Sequence, residues 1–245
     1  MNTESVLNII KNYNTFSRND LRIVMEKCGL HATDSTANHI IDKLVSDGSI
    51  TRIGRNEYTA KTSVKEYSFV HSEYAYRIAE RVKNNFPFLD FRIFELIQLN
   101  EFVNHQIGNN IVFLSVEGDL GSYVFEYLWQ DYKGSILLNP TIEDIFRYRD
   151  DNMIIIEKLP TESPKGKAAF WDTRIEKMLV DIAVDKIQKH MVYPGEYPEI
   201  YREAIIKYIV DRSMMKRYAS RRGALDKFRS FLENEAKISR EEFSL

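Results

Sequence analysis

Residues 17–48, SRNDLRIVMEKCGLHATDSTANHIIDKLVSDG, encode two helices and the turn between them, and their reading decides the amino-terminal fold. Ser17 precedes Arg18, Asn19 and Asp20, which puts a hydroxyl at an N-cap and a carboxylate three residues on, a close variant of the capping box. The helix started there places Leu21, Val24, Met25 and Cys28 on one face, and Gly29 is positioned to take the left-handed conformation that ends it. Thr33 then caps a further helix with Ala37, Ile40, Ile41, Leu44 and Val45 inward, stopped by Asp47-Gly48. Upstream, Val6, Leu7, Ile9, Ile10 and Tyr13 recur at helical spacing and add a helix over about 4–13.

Downstream the period changes from helical to alternating. Ile50, Arg52, Gly54-Arg55-Asn56 and Tyr58 describe two short strands around a glycine-containing tip. Three helices followed by such a hairpin form a winged helix-turn-helix, expected over residues 1–62. Its third helix turns Ser35, Thr36, Asn38, His39, Asp42 and Lys43 outward, and short donors and acceptors on one helix suit base edges in a major groove. Arg52 and Arg55 on the wing suit phosphate or minor-groove contact, so operator DNA is the expected partner. Residues 1–65 carry only two more Lys and Arg than Asp and Glu. Affinity for DNA rests on neutralised phosphates, so two copies on a palindrome are expected to supply what one lacks.

The remainder is an α/β domain, expected over 67–232, with a polar tail at 233–245. Mixed-charge residues 61–68, KTSVKEYS, form a natural linker into it. A helix over about 72–86 ends at Phe86-Pro87 and is followed by a strand through Leu89, Phe91, Ile93 and Phe94. A helical stretch near 97–107, the strand IVFLSV (111–116), a helix over 122–132, the strand SILLN (135–139), a helix over 141–150 and the strand MIIIEKL (153–159) complete the alternation. Strands alternating with crossover-length helices imply a mainly parallel sheet covered on both faces, with a closing helical segment after it. The loop LPTESPKGKAAF (159–170) reads as an exposed excursion.

Three helices follow. The first, over 171–190, carries apolar residues around most of its circumference and places Asp181 and Asp185 one turn apart on a narrow polar edge. Between 212 and 229 stand Arg212, Lys216, Arg217, Arg221, Arg222, Lys227 and Arg229 against Asp226 alone. A buried-edge carboxylate needs a counterion, so Asp181 and Asp185 are expected to hold part of this arginine helix. Arginines left over are free for phosphate, on DNA or on RNA.

The run Arg174-Ile-Glu-Lys-Met-Leu-Val-Asp181-Ile, with Lys216-Arg-Tyr-Ala-Ser-Arg-Arg222 downstream, resembles the AbiEi-like antitoxin and transcriptional-regulator family. The resemblance covers nearly the whole chain. It implies a winged helix ahead of an α/β antitoxin domain, repression of the chain's own operon, and neutralisation of a nucleotidyltransferase-type toxin encoded beside it, acting in phage defence. It makes Lys216, Arg217, Arg221 and Arg222 a candidate antitoxin patch, with Asp181 and Asp185 as internal charge partners.

Composition sets the outer bounds. With 245 residues, 44% hydrophobic and 29% charged, the chain has the make-up of an ordinary globular protein of one or two domains. A single cysteine excludes an internal disulfide, and five scattered histidines give no metal-ligand spacing, so neither metal nor cofactor is expected. The start MNTESVLNII lacks the pattern of a secretion signal and no apolar run reaches spanning length, so a cytoplasmic protein without a membrane partner is expected. No catalytic residues are assigned. The rival reading is a metal-dependent, restriction-like nuclease using Asp90, Glu95 and Glu117, but no lysine follows that acidic set at the required place. A plain transcriptional regulator is the third reading.

Overall fold

The computed structural model describes residues 3–13, 15–54, 56–60, 65–148, 150–166 and 168–238. It is a mixed α/β protein whose chain divides into two compact units: 1–66 with 205–213, and 67–204 with 214–245. The first unit is therefore discontinuous, which a boundary drawn at residue 62 does not capture. The last three residues of one helix, the first two of the next and the stretch between them, far away in sequence, belong to it.

In the first unit α1 (Thr3–Ile10), α2 (Arg18–Lys27) and α3 (Asp34–Ser46) precede a small antiparallel sheet. The sheet holds β1 (Phe16–Ser17), β2 (Thr51–Gly54) and β3 (Glu57–Thr59) in the order β1-β3-β2. The expected caps form: Ser17 Oγ accepts from Asp20 N while Asp20 accepts from Ser17 N at 2.7 Å, and Thr33 Oγ1 accepts from Thr36 N at 3.2 Å. Gly29 and Gly48, at φ +72° and +73°, end the two helices where L side chains would be strained. Val6, Ile10, Leu21, Val24, Met25, Ala37, Ile40, Ile41 and Leu44 make the core, joined by Phe16 and Tyr58, whose rings stack at 5.8 Å. β1 is too short to leave a sequence signal; it exists because Phe16 pairs with Tyr58 across the sheet. Val45, expected inward, is 39% exposed, because the buried stripe of α3 stops at Leu44. The returning segment adds a strand-like bridge between Lys65 and Tyr208 and brings the buried Arg212 guanidinium 3.3 Å from Glu57.

The second unit is built on four strands, β4 (Phe91–Glu95), β5 (Ile111–Val116), β6 (Ile136–Leu138) and β7 (Met153–Lys158), in the order β4-β5-β7-β6. β5, β7 and β6 run parallel, and β4 joins the edge antiparallel to β5, so the sheet is mixed. Helices α4 (Glu73–Asn85) and α5 (Gly121–Tyr132) bury Ile78, Val82, Val124 and Leu128 against Val112, Leu114, Val116, Ile154 and Ile156. Because side chains alternate along a strand, Phe113 with Ser115 and Ile155 with Glu157 fall on the opposite face. A short helix α6 (Ile142–Arg147) links β6 to β7. The expected helix near 97–107 is only a 3-10 segment, Leu96–Glu101.

Two of the long helices expected after the sheet are broken. The 171–190 run becomes α7 (Ile175–Val184) and α8 (Lys186–Met191), because Asp185 is extended and accepts from Ile187 N at 2.9 Å and Gln188 N at 3.1 Å. Its side chain caps α8 instead of continuing α7. After α9 (Tyr197–Lys207), the arginine run divides into α10 (Arg212–Arg221) and α11 (Leu225–Asn234) at Gly223, whose φ is +63°. The tail expected from 233 begins inside α11, and its residues 239–245 lie outside the described set, as do residues 61–64 of the expected linker. Among the described residues no helix is long and apolar enough to cross a membrane.

Candidate functional site

In the first unit, α3 offers Ser35, His39, Asp42 and Lys43 to solvent, while Asn38 is half-buried. Thr36 is half-buried and its hydroxyl is engaged at 2.7 Å by the Thr33 cap, so it is the least available of the readers expected from the sequence. Arg22 braces the helix start through Ala32 O at 3.3 Å and Asp34 at 3.2 Å. Arg52 is exposed on β2, and Arg55 lies outside the described residues. The outward face of α3 is thus polar and mixed in charge, and its inward face belongs to the core of the unit.

In the second unit the acidic edge of α7 becomes a closed charge cluster. Asp181 is 1% exposed and lies 2.5 Å from the equally buried Lys177 Nζ; it also takes a bond from Tyr218 Oη at 3.0 Å and pairs with Arg222. The second arm of Arg222 reaches Asp185 at 2.9 Å. Two cations thus face two carboxylates. Burial pushes the Asp181 carboxyl up, but Lys177 and Arg222 outweigh it and hold the group below the usual carboxylate range. Burial, then the Asp181 charge, pushes Tyr218 up to about 12, so its hydroxyl stays a donor. Around this quartet, Lys227 Nζ donates to Val184 O at 2.6 Å and Arg174 Nε to Glu176 at 2.9 Å.

The four-residue arginine patch expected from the sequence therefore divides. Arg222 belongs to the interior, and Lys216, Arg217 and Arg221 are exposed, Arg221 pairing with Glu162 at 2.5 Å across the surface. Sequence reasoning found Asp181, Asp185 and an arginine partner. It missed Lys177, one turn before Asp181, because a lysine on a helix normally reads as solvated. The signal that could have found it was the i, i+4 spacing of Lys177 and Asp181 on a helix whose other residues, Glu176 apart, are apolar.

The acidic residues of the nuclease reading all have structural partners. Glu117 accepts from Asp90 N at 2.7 Å, Asp90 pairs with Arg92 at 2.7 Å, and buried Glu95 accepts from Ser72 N and Asn110 Nδ2 at 2.9 Å each. Among the described residues no three His, Cys, Asp or Glu side chains are arranged to hold a metal ion. Glu95 also bonds His71 Nδ1 at 2.9 Å, while His71 Nε2 lies 3.5 Å from Asp172 and the ring packs 4.8 Å from that of Trp171. Burial pushes His71 down, but Asp172 and Glu95 outweigh it and hold the imidazole above its usual value. A histidine so raised stabilises the fold fully below the unfolded value near 6.5, and this contribution fades as pH rises through the folded value. We expect the difference in urea midpoint between the parent and His71→Gln, read by tryptophan fluorescence, to narrow as pH goes from 6 to 9. A constant difference would show that the imidazole carries no charge there.

A search of curated proteins gave no match. Among solved structures, that of the RV2827C protein from Mycobacterium tuberculosis is similar over 99% of this chain and 80% of that one, at 12% identity and a TM-score of 0.32. A family model matches residues 36–238, which span the greater part of both units, and by that match the chain belongs to the family of unknown function DUF6577.

Proposed function

We propose that this chain is a DNA-reading antitoxin: a winged-helix module represses the chain's own operon, and the α/β unit neutralises a nucleotidyltransferase-type toxin without itself being an enzyme. The observation that carries the DNA-reading half is the exposed row Ser35, His39 and Lys43 on α3, mounted beside the β2–β3 hairpin on a closed core. A helix presented this way suits major-groove readout, with Arg52 on the hairpin for the backbone. The toxin-directed half is supported by the resemblance of 174–182 and 216–222 to AbiEi-like antitoxins. Since Lys177, Asp181 and Arg222 of those motifs are bound up in the interior, the neutralising surface reduces to Lys216, Arg217 and Arg221.

The test uses the full chain in two assays: binding to DNA from upstream of its own reading frame against a scrambled duplex, and rescue of growth under expression of the adjacent toxin. Arg217→Ala and Arg221→Ala should leave unfolding within about 0.5 kcal/mol of the parent, as exposed substitutions do, and remove rescue. Rescue that survives both substitutions together would move neutralisation away from this helix. Equal affinity for the two duplexes would remove operator reading.

A further inference from the structure

The parallel strands β6 and β7 end at one edge of the sheet, where Leu138 is in register with Ile156 and the chain turns away at Asn139. Beyond that edge lies a cavity of about 590 Å³. Its volume is that of a small-molecule site, and ligands of open α/β sheets collect outside the carboxyl ends of the strands. Pro140, Ile142, Pro160 and Ile187 supply an apolar lining. Glu157, from the end of β7, supplies the polar anchor.

Glu157 is held without being used up. Its Oε1 accepts from Ser115 Oγ at 2.8 Å and from Gln188 Nε2 at 3.2 Å, whereas no described protein group donates to Oε2. Two bonds to one oxygen orient the carboxylate and leave the other as an acceptor at the cavity. Arg222 also lines the cavity, but both its arms are taken by Asp181 and Asp185. It therefore does not neutralise Glu157. Burial and the nearby Asp185 push the Glu157 carboxyl up to about 7, against the opposing pull of Lys177 and the Ser115 hydrogen bond.

The cations at the mouth are of a different kind. Among the described residues Lys158 meets only the exposed Asp119, at 3.1 Å, a surface pair of little strength. Lys186 is exposed and lines the same cavity, with no carboxylate in ion-pair distance among the described residues. Asp185 in the lining is already paired with Arg222 and Glu143 is exposed, so an occupant that answers the remaining groups carries an apolar body, an N–H edge for Glu157 and an anion for the lysines. Glutamate lacks the body and a polyamine lacks the anion, whereas an aromatic amino acid carries all three and is the competing ligand class to test.

We propose that this cavity binds a nucleoside phosphate, the base lying between the apolar walls with an N–H edge on Glu157 Oε2 and the phosphate on Lys186 and Lys158. The inference does not rest on operator reading or on neutralisation. It is tested by calorimetric titration of the full chain with GMP, AMP and CMP, alongside spermidine, glutamate and phenylalanine. At least one nucleotide should bind, Glu157→Gln should weaken it ten-fold or more, and Lys186→Ala should weaken it several-fold and flatten its salt dependence. Ile142→Trp fills the cavity from its wall and should abolish binding in a chain whose α-helical circular dichroism is unchanged, which guards against a misfolded Glu157 variant. Failure of all three nucleotides to bind overturns the proposal, as does binding indifferent to Glu157→Gln and Ile142→Trp. Spermidine, glutamate or phenylalanine binding in place of the nucleotides overturns the ligand class.

Discussion

Arg222→Ala should lose about 3–5 kcal/mol of stability, the cost of removing one partner from a buried ion pair. The loss should appear as a lower urea midpoint by tryptophan fluorescence, since the only two tryptophans, Trp129 and Trp171, both belong to the second unit. The reason is geometric. Arg222 spans Asp181 and Asp185, the first 1% exposed, and with it gone Asp181 retains Lys177 and the Tyr218 hydroxyl while Asp185 keeps its cap bonds to α8. Of the quartet only Lys177 then remains to face the two carboxylates. Arg217→Ala, one turn away and exposed, is the matched control and should stay within about 0.5 kcal/mol. Equal midpoints for the two variants would mean that the quartet contributes nothing. Because Asp181 is held below the usual carboxylate range, its contribution is present above the unfolded value near 3.8 and is lost as pH falls through the folded one. The gap between parent and Arg222→Ala should therefore close in acid.

The second large effect belongs to α3. His39→Ala combined with Lys43→Ala should weaken binding to the chain's own upstream DNA by about 10- to 1,000-fold, since one well-placed base contact discriminates by about 1–3 kcal/mol. Both positions are exposed, so the fold should tolerate the change. Arg52→Ala should act differently: binding should weaken about uniformly across sequences, and the slope of log affinity against log salt should flatten by about one. Lost discrimination from α3 with lost salt dependence from the hairpin is the pattern of a helix in the groove and a wing on the backbone. If the α3 double variant binds its target at parental strength, this helix does not read the DNA.

The elements that were legible in the sequence are those made by neighbours in the chain. Ser17 with Asp20, and Thr33 with Thr36, lie within one turn of each other, so their caps depend on local geometry alone. The same holds for the stripe at Ala37, Ile40, Ile41 and Leu44, and for the apolar runs of β5 and β7, whose composition suits a strand buried on both faces. Asp181 as an acid in need of a counterion was legible too, because burial of a charge on an otherwise apolar helix has one remedy.

Which cation answers it was decided only in three dimensions. Arg222 is 41 positions from Asp181, and nothing local distinguishes it from Arg221, which turns outward to Glu162. The same limit hid the break at Asp185, where capping α8 and answering Arg222 together outweigh continuation of α7, and it hid the return of residues 205–213 to the first unit. Strand order, the antiparallel edge of β4 and the free oxygen of Glu157 are of this kind. Periodicity and caps are energies between residues a few positions apart, and the chain carries them wherever it goes. Pairing between distant strands and the fate of a buried charge are energies of the packed interior, and they exist only once the interior has formed.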